Sequence, residues 1–296
     1  MDLGVLRVAV KPEEQPLART IANEVAAVGL GGDGFDSHPR IVRVQCAAVS
    51  RLSLVIPCYN EEQRLPADEL RTFAVPGVDL ELVLVNDGSG DGTLRLLESL
   101  RDENPARFKV VNLAKNSGKA EAVRQGILAA IETKPDYVGF WDADLATPLT
   151  ELPSFVEILA TRKNVQMVMG ARVRLLGRDI SRHASRHYFG RVGATLISQT
   201  LNLAVYDTQC GAKLFRVTGD TRHVFSTPFL SRWIFDVEII ARYVRLWGRD
   251  AAARSIVEQP VTRWHDVKGS KLKSHDFARA LRDLWRIRRA YKMKGT

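Results

Sequence analysis

The chain is poor in cysteine. Cys46, Cys58 and Cys210 are the only three in 296 residues, and none belongs to a Cys-x-x-Cys pair. That excludes a disulfide framework and a thiolate zinc cage, and reads as reduced thiols in a cytoplasmic protein. No apolar run approaches the roughly 18 residues of a membrane-spanning helix. The N-terminus has no basic stretch leading into a long apolar one, so no signal peptide is expected. Internal repeats and low-complexity tracts are missing as well. Helix-turn-helix, RNA-recognition and zinc-finger signatures are absent, so nucleic acid is not an expected partner. Negative charge is also in short supply. Lys and Arg number 43 against 34 Asp and Glu, a net charge of +9, which points to anionic partners such as phosphates or a phospholipid surface.

Three apparent motifs fail on context. Gly29-x-Gly31-x-x-Gly34 spells the dinucleotide fingerprint, but the residues before it read as a helix over 13–28 rather than a strand. Asp87-x-Ser89-x-Asp91-Gly92 with Glu98 resembles a calcium loop, yet a strand-like run precedes it and Arg95 occupies a ligand position. Gly118-Lys119 lacks the upstream glycine of a phosphate-binding P-loop and is followed by alanine.

From residue 52 the pattern is regular. Strands are expected at 52–57, 80–85, 108–113, 137–141 and 165–170, with helices at 61–72, 91–103, 119–132 and 150–161. Strand and helix in alternation imply βαβ units, so the fold class is α/β with a mostly parallel central sheet and helices on both faces. In such a sheet ligands bind outside the strand C-terminal ends. The polar segments Cys58-Tyr59-Asn60-Glu61-Glu62, Asn86-Asp87-Gly88-Ser89 and Asp142-Ala143-Asp144 fall at those ends. Further helices are expected at 185–203, 232–246 and 275–292, and an extended segment at 255–264. The division expected is an ill-defined extension over 1–50, a catalytic domain over 51–264, and an active-site loop with a basic terminal helix over 265–296.

Asp142 and Asp144 follow a strand in alternation, so both carboxylates face one side. Two carboxylates so placed repel unless a cation lies between them or one is protonated. Hard oxygen donors favour Mg²⁺ or Mn²⁺, the ions that hold diphosphates.

Four segments then resemble family 2 glycosyltransferases, in that family's order. They are Leu54-Val-Ile-Pro-Cys-Tyr-Asn-Glu-Glu62, Val85-Asn-Asp-Gly-Ser-Gly-Asp-Gly-Thr93, Asn116-Ser-Gly-Lys-Ala-Glu-Ala-Val-Arg124 and the Asp142–Asp144 pair. Three later segments resemble the dolichyl-phosphate β-glucosyltransferase branch: Asp207-Thr-Gln-Cys-Gly-Ala-Lys-Leu-Phe215, Arg232-Trp-Ile-Phe-Asp-Val-Glu238 and Trp264-His265-x-x-x-Gly269-Ser270-Lys271. The resemblance covers about residues 52–292. It implies a GT-A fold, inversion at the sugar carbon, a UDP-sugar donor and a polyprenyl phosphate acceptor. It also implies that Pro57, Tyr59, Glu61, Asp87, Lys119 and Asp142 line the nucleotide-sugar pocket and that Asp142 and Asp144 bind the metal. The Gly-containing loop with Lys271 is expected to close over the diphosphate, with His265 as a candidate further metal ligand. Polyprenol-phosphate mannosyltransferases carry a glutamine two residues after this pair; here Ala146 stands there, so the metal needs another ligand or water.

Six arginines lie between 171 and 191. Arg172, Arg182 and Arg186 are candidates to clamp phosphates, because guanidinium binds them bidentately. The acceptor decides whether a base is required. A phosphate monoester is mostly dianionic at neutral pH and attacks unaided. A sugar hydroxyl needs a positioned base, for which Asp236 is the candidate. Phe277, Leu281, Leu284 and Trp285 recur at helical spacing in the basic terminal helix, a face suited to core packing or to an anionic lipid surface. Peripheral contact with the cytoplasmic membrane face is therefore expected alongside a cytoplasmic location.

Overall fold

The computed structural model describes residues 49–173, 175–181, 184–265 and 274–292. The extension and the helix expected within 1–48 lie outside them.

The chain runs through β1 (Ser50–Cys58), α1 (Ala67–Thr72), β2 (Val78–Asp87), α2 (Thr93–Glu103), β3 (Phe108–Leu113), α3 (Lys119–Ile131) and β4 (Tyr137–Trp141). After a 3-10 turn come α4 (Leu152–Thr161), β5 (Met167–Ala171), β6 (Asp179–Ser181) and α5 (Ala184–Leu201). The rest is β7 (Ala212–Arg216), α6 (Gly219–Ser226), α7 (Phe235–Trp247), α8 (Arg249–Ser255), β8 (Ile256–Pro260), β9 (Arg263–His265) and α9 (Ser274–Ala290).

Seven strands form one sheet in the order β3-β2-β1-β4-β7-β5-β8. Every pairing is parallel except those of β7, which runs antiparallel to both β4 and β5. β6 and β9 form a separate two-stranded ribbon. This is the mostly parallel α/β sheet the alternation predicts.

β1 shows why the sheet is covered on both sides. Leu52, Leu54 and Ile56 enter one core with Leu97, Leu100, Phe155 and Leu159, whereas Val55 enters the other with Val123, Ile127 and Phe235. Strands buried on both faces read as near-continuous apolar runs, which is how β1 and β2 read in the sequence. The chain leaves β1 toward β2 on one side and reaches β4 on the other. The C-terminal ends of β1 and β4 therefore bracket the point where strand order reverses, where open α/β sheets bind ligands.

Candidate active site

Asp142 leaves β4 with its amide donating to the Gly211 carbonyl at 2.9 Å. Its carboxylate lies against that same glycine. A Cβ built on Gly211 would fall 1.9 Å from Asp142 Oδ2, so only glycine lets the loop before β7 approach this closely. Lys119, the first residue of α3, places its ammonium 2.5 Å from Asp142 Oδ1. Burial works against that ammonium's charge, but Asp142, then Asp236 and Asp144, more than offset it and raise its pKa. Asp144 accepts a hydrogen bond from the Ala146 amide at 3.1 Å. Burial, then the negative charge of Asp142, push its carboxyl up. Asp142 and Asp144 therefore feel one another, but across a turn rather than through strand alternation: β4 ends at Trp141, and the Leu145 amide donates to the Asp142 carbonyl at 3.1 Å.

His265 ends β9, and its amide donates to the Ala146 carbonyl at 3.2 Å, so the β6–β9 ribbon is sewn to the residues just after Asp144. Its imidazole Nε2 lies 3.2 Å from Asp179 on the ribbon's other strand and is 56% exposed. Among the described residues, no three acidic, histidine or cysteine side chains converge as a ready metal cage. His265, expected as a further ligand, is not gathered with Asp142 and Asp144 into such a group, and its imidazole faces Asp179; of the three, the two aspartates alone stand at this end of β4. An ion there would complete its shell with diphosphate oxygens and water.

The nucleotide-side loops are interlaced by carboxylates on amides. Asp87 accepts from the amides of Ser117 at 2.7 Å and Gly118 at 2.8 Å. It sits at the N-terminus of α3, where the helix dipole favours negative charge. Asp87 is buried, so the structure shows it organising the loop before Lys119. Glu62 Oε2 accepts from Gly92 at 2.8 Å, and Asn60 Oδ1 from Gly90 at 2.9 Å. Gly88 adopts φ +62°, and a Cβ built on it would fall 2.3 Å from the Lys115 backbone and 2.4 Å from that of Asn116, a position closed to a side chain. Pro57 and Tyr59 lie at the end of β1, with Tyr59 38% exposed. Glu61 lies just beyond and pairs with Arg64 at 2.6 Å.

Asp236, in the first turn of α7, is buried, and its Oδ1 meets Lys213 Nζ at 2.6 Å. Lys213 is fully buried and also donates to the Cys210 carbonyl at 2.7 Å, with its ammonium 5.2 Å from the Phe140 ring centroid. Arg172 forms a bidentate pair with Asp207, Nε to Oδ2 at 2.6 Å and Nη2 to Oδ1 at 2.8 Å, and lies 5.2 Å from the Trp264 ring centroid. Burial opposes the charge of Arg172, and Asp207 more than restores it. The guanidinium fork expected to clamp phosphate is thus turned onto a neighbouring carboxylate. Arg182, Lys271 and the loop around Ser270 lie outside the described residues. Arg186 falls on α5, and its side chain is likewise outside them.

Lys213, Asp207 and Gly211 received no role from the sequence, although all three lie in one quoted segment. A lysine inside the otherwise apolar Ala212–Phe215 run was the available signal, since a buried cation demands a buried partner.

A family model described as glycosyl transferase family 2 matches residues 53–222. The dolichyl-phosphate beta-glucosyltransferase of Dictyostelium discoideum is 31% identical over 257 residues, covering 81% of this chain and 74% of that protein. Its Homo sapiens counterpart is 30% identical over 243 residues, covering 75% and 69%. Among solved structures, glucosyl-3-phosphoglycerate synthase from Mycobacterium tuberculosis in complex with UDP superposes with a TM-score of 0.58 at 20% identity, covering 83% of this chain and 81% of that one. That likeness is one of fold.

Proposed function

Because the chain belongs to glycosyl transferase family 2 and is a glycosyltransferase, we propose that it moves glucose from UDP-glucose to the phosphate of a dolichyl or other polyprenyl phosphate, with inversion. The observation that carries this reading is the charge cluster where strand order reverses. Asp142 and Asp144 face Lys119 there, beside loops whose amides are already ordered.

The loops after β1 and β2 would seat the nucleoside, and Asp87 would fix the Ser117–Lys119 turn so that the ammonium reaches the diphosphate. Asp142 and Asp144 would hold Mg²⁺ or Mn²⁺. When bound, such an ion offsets the charge that grows on a departing diphosphate. Lys119, 35% exposed on its side chain, would share that duty from the other flank.

The acceptor reading turns on Asp236. Its carboxylate is nearly closed to solvent and engaged by Lys213. A hydroxyl acceptor would have to draw general-base help from it. A phosphate monoester arrives with its charge and needs none. The dolichyl-phosphate relatives point the same way.

A donor and acceptor screen tests this. Radiolabelled UDP- and GDP-sugars are offered with polyprenyl phosphate or soluble hydroxyl acceptors, with and without Mn²⁺. The expected outcome is metal-dependent transfer from UDP-glucose to the lipid phosphate. Transfer confined to hydroxyl acceptors, and lost on Asp236→Asn, would replace this reading with the general-base one.

A further inference from the structure

α9 has two apolar faces, and the fold uses one of them. Leu284 and Ile287 are buried, 8% and 0% exposed, and pack with Ala280 and Tyr291 into the core beneath α7. The Tyr291 hydroxyl donates to Glu238 at 2.7 Å and accepts from Arg242 at 3.0 Å, which locks that face down.

A second line of residues, about a quarter-turn round the helix, does not enter the core. Leu281 is 42% exposed and Trp285 59% exposed. The same line continues through Arg288 and Lys292, both exposed. Arg289 stacks its guanidinium 5.4 Å from the Trp285 ring centroid. The one acid between 279 and 292, Asp283, is 13% exposed on its side chain; it accepts from Ser231 Oγ at 2.9 Å and pairs with Arg286 at 3.4 Å and Arg282 at 3.7 Å, which leaves Arg288, Arg289 and Lys292 as the cations of the outward line.

The segment beneath α9 leads to the site. Arg286 donates to the Leu230 carbonyl, and two residues on Arg232 donates to Asn116 Oδ1 at 2.8 Å, beside the turn that orders Lys119. Between Arg232 and α7 stands Trp233, 53% exposed.

We propose that the outward face of α9, through Leu281, Trp285, Arg288, Arg289 and Lys292, seats on an anionic phospholipid surface, with Trp233 beside it. This deepens the lipid-phosphate reading and rests on it for its purpose. Trp and Leu in line with arginines, with the acid removed inward, match the chemistry of a bilayer interface, where indoles sit at headgroup depth and arginines meet phosphates. A protein partner of ordinary surface composition would offer no matching charge to Arg288, Arg289 and Lys292.

The test is co-sedimentation of the full chain with phosphatidylcholine vesicles and with vesicles mixed with phosphatidylglycerol. Leu281→Ser/Trp285→Ser and Arg288→Glu/Arg289→Glu are compared with wild type, each first checked for an unchanged melting temperature. Wild type should bind the anionic vesicles, and each double variant should lower the partition coefficient about tenfold or more. Transfer to a short-chain, detergent-dispersed polyprenyl phosphate should be retained. Vesicle binding unchanged in both variants would overturn the proposal. So would a concentration-dependent dimer abolished by Leu281→Ser/Trp285→Ser, since a second copy would then cover the face. Vesicle binding with the expected variant losses, but no transfer to any polyprenyl phosphate, would uphold the surface and remove the acceptor reading alone.

Discussion

Upstream of β5 the loops around the site are held mainly by carboxylates on backbone amides; downstream, where Glu258 likewise grips the Tyr206 and Asp207 amides, ion pairs taken out of water are added. Asp87 on Ser117 and Gly118, and Glu62 on Gly92, exemplify the first kind. Arg172–Asp207, Lys213–Asp236 and Arg242–Glu238 exemplify the second. An amide gripped by a carboxylate can reposition with its loop. A buried charge that loses its partner has nowhere to go, because desolvation has already been suffered. The upstream loops are therefore suited to shifting position, and the downstream half to rigidity.

Breaking one device of each kind sharpens the contrast. Lys213→Met strands Asp236 in the core and should cost about 3–5 kcal/mol in denaturant unfolding. The double variant Lys213→Met/Asp236→Leu should recover most of it; equal losses would deny that the pair acts as a unit. Next in size, Gly211→Ala pushes a methyl into the Asp142 carboxylate. Transfer should fall about 10²-fold from misplacement of that group alone, with little change in melting temperature. Gly193→Ala, whose Cβ would meet nothing within 4 Å, is the control and should be neutral or slightly stabilising. Asp87→Asn keeps one acceptor and should cost about 1–3 kcal/mol locally. Faster hydrogen exchange at the Ser117 and Gly118 amides would report it.

The smallest effect is a pH response in the downstream half. Burial, then the hydrogen bond to Glu238, push the Tyr291 phenol from 10.0 up to about 12. Between those values the unfolded chain binds fewer protons than the native one, so stability falls as pH rises through that window. Tyr291→Phe should flatten the decline, read from thermal melts across the alkaline range.

The same contrast explains what could be read from the sequence. Strands β1 to β5 announced themselves as apolar runs, and β3 and β4 run from Phe108 to Leu113 and from Tyr137 to Trp141 as expected. The helix expected over 61–72 forms only at Ala67–Thr72, because the Glu61 carbonyl closes a turn with the amides of Arg64 and Leu65 and Pro66 stands before the helix. β7 escaped notice because its lysine reads as a surface residue until Asp236, remote in sequence, is brought beside it. On α9 the single apolar face expected from Phe277, Leu281, Leu284 and Trp285 divides. Leu284 goes inward with Ile287, and Leu281 and Trp285 stay outside. The selection is made by Glu238 and Arg242 gripping Tyr291, a contact no local periodicity reports. At the site, the Asp142–Asp144 pair and Lys119 were legible as motifs. The engagement of Arg172 by Asp207 was not, since one guanidinium in a basic stretch looks like another.

If Asp142 and Asp144 hold a divalent ion against the donor diphosphate, calorimetric titration of UDP into the wild-type chain and into Asp144→Asn, with and without Mn²⁺, will register it. Mn²⁺ should tighten UDP binding to wild type, and Asp144→Asn should abolish this gain while leaving metal-free binding intact. An equal gain from Mn²⁺ in both proteins would rule out the ion's place between these aspartates.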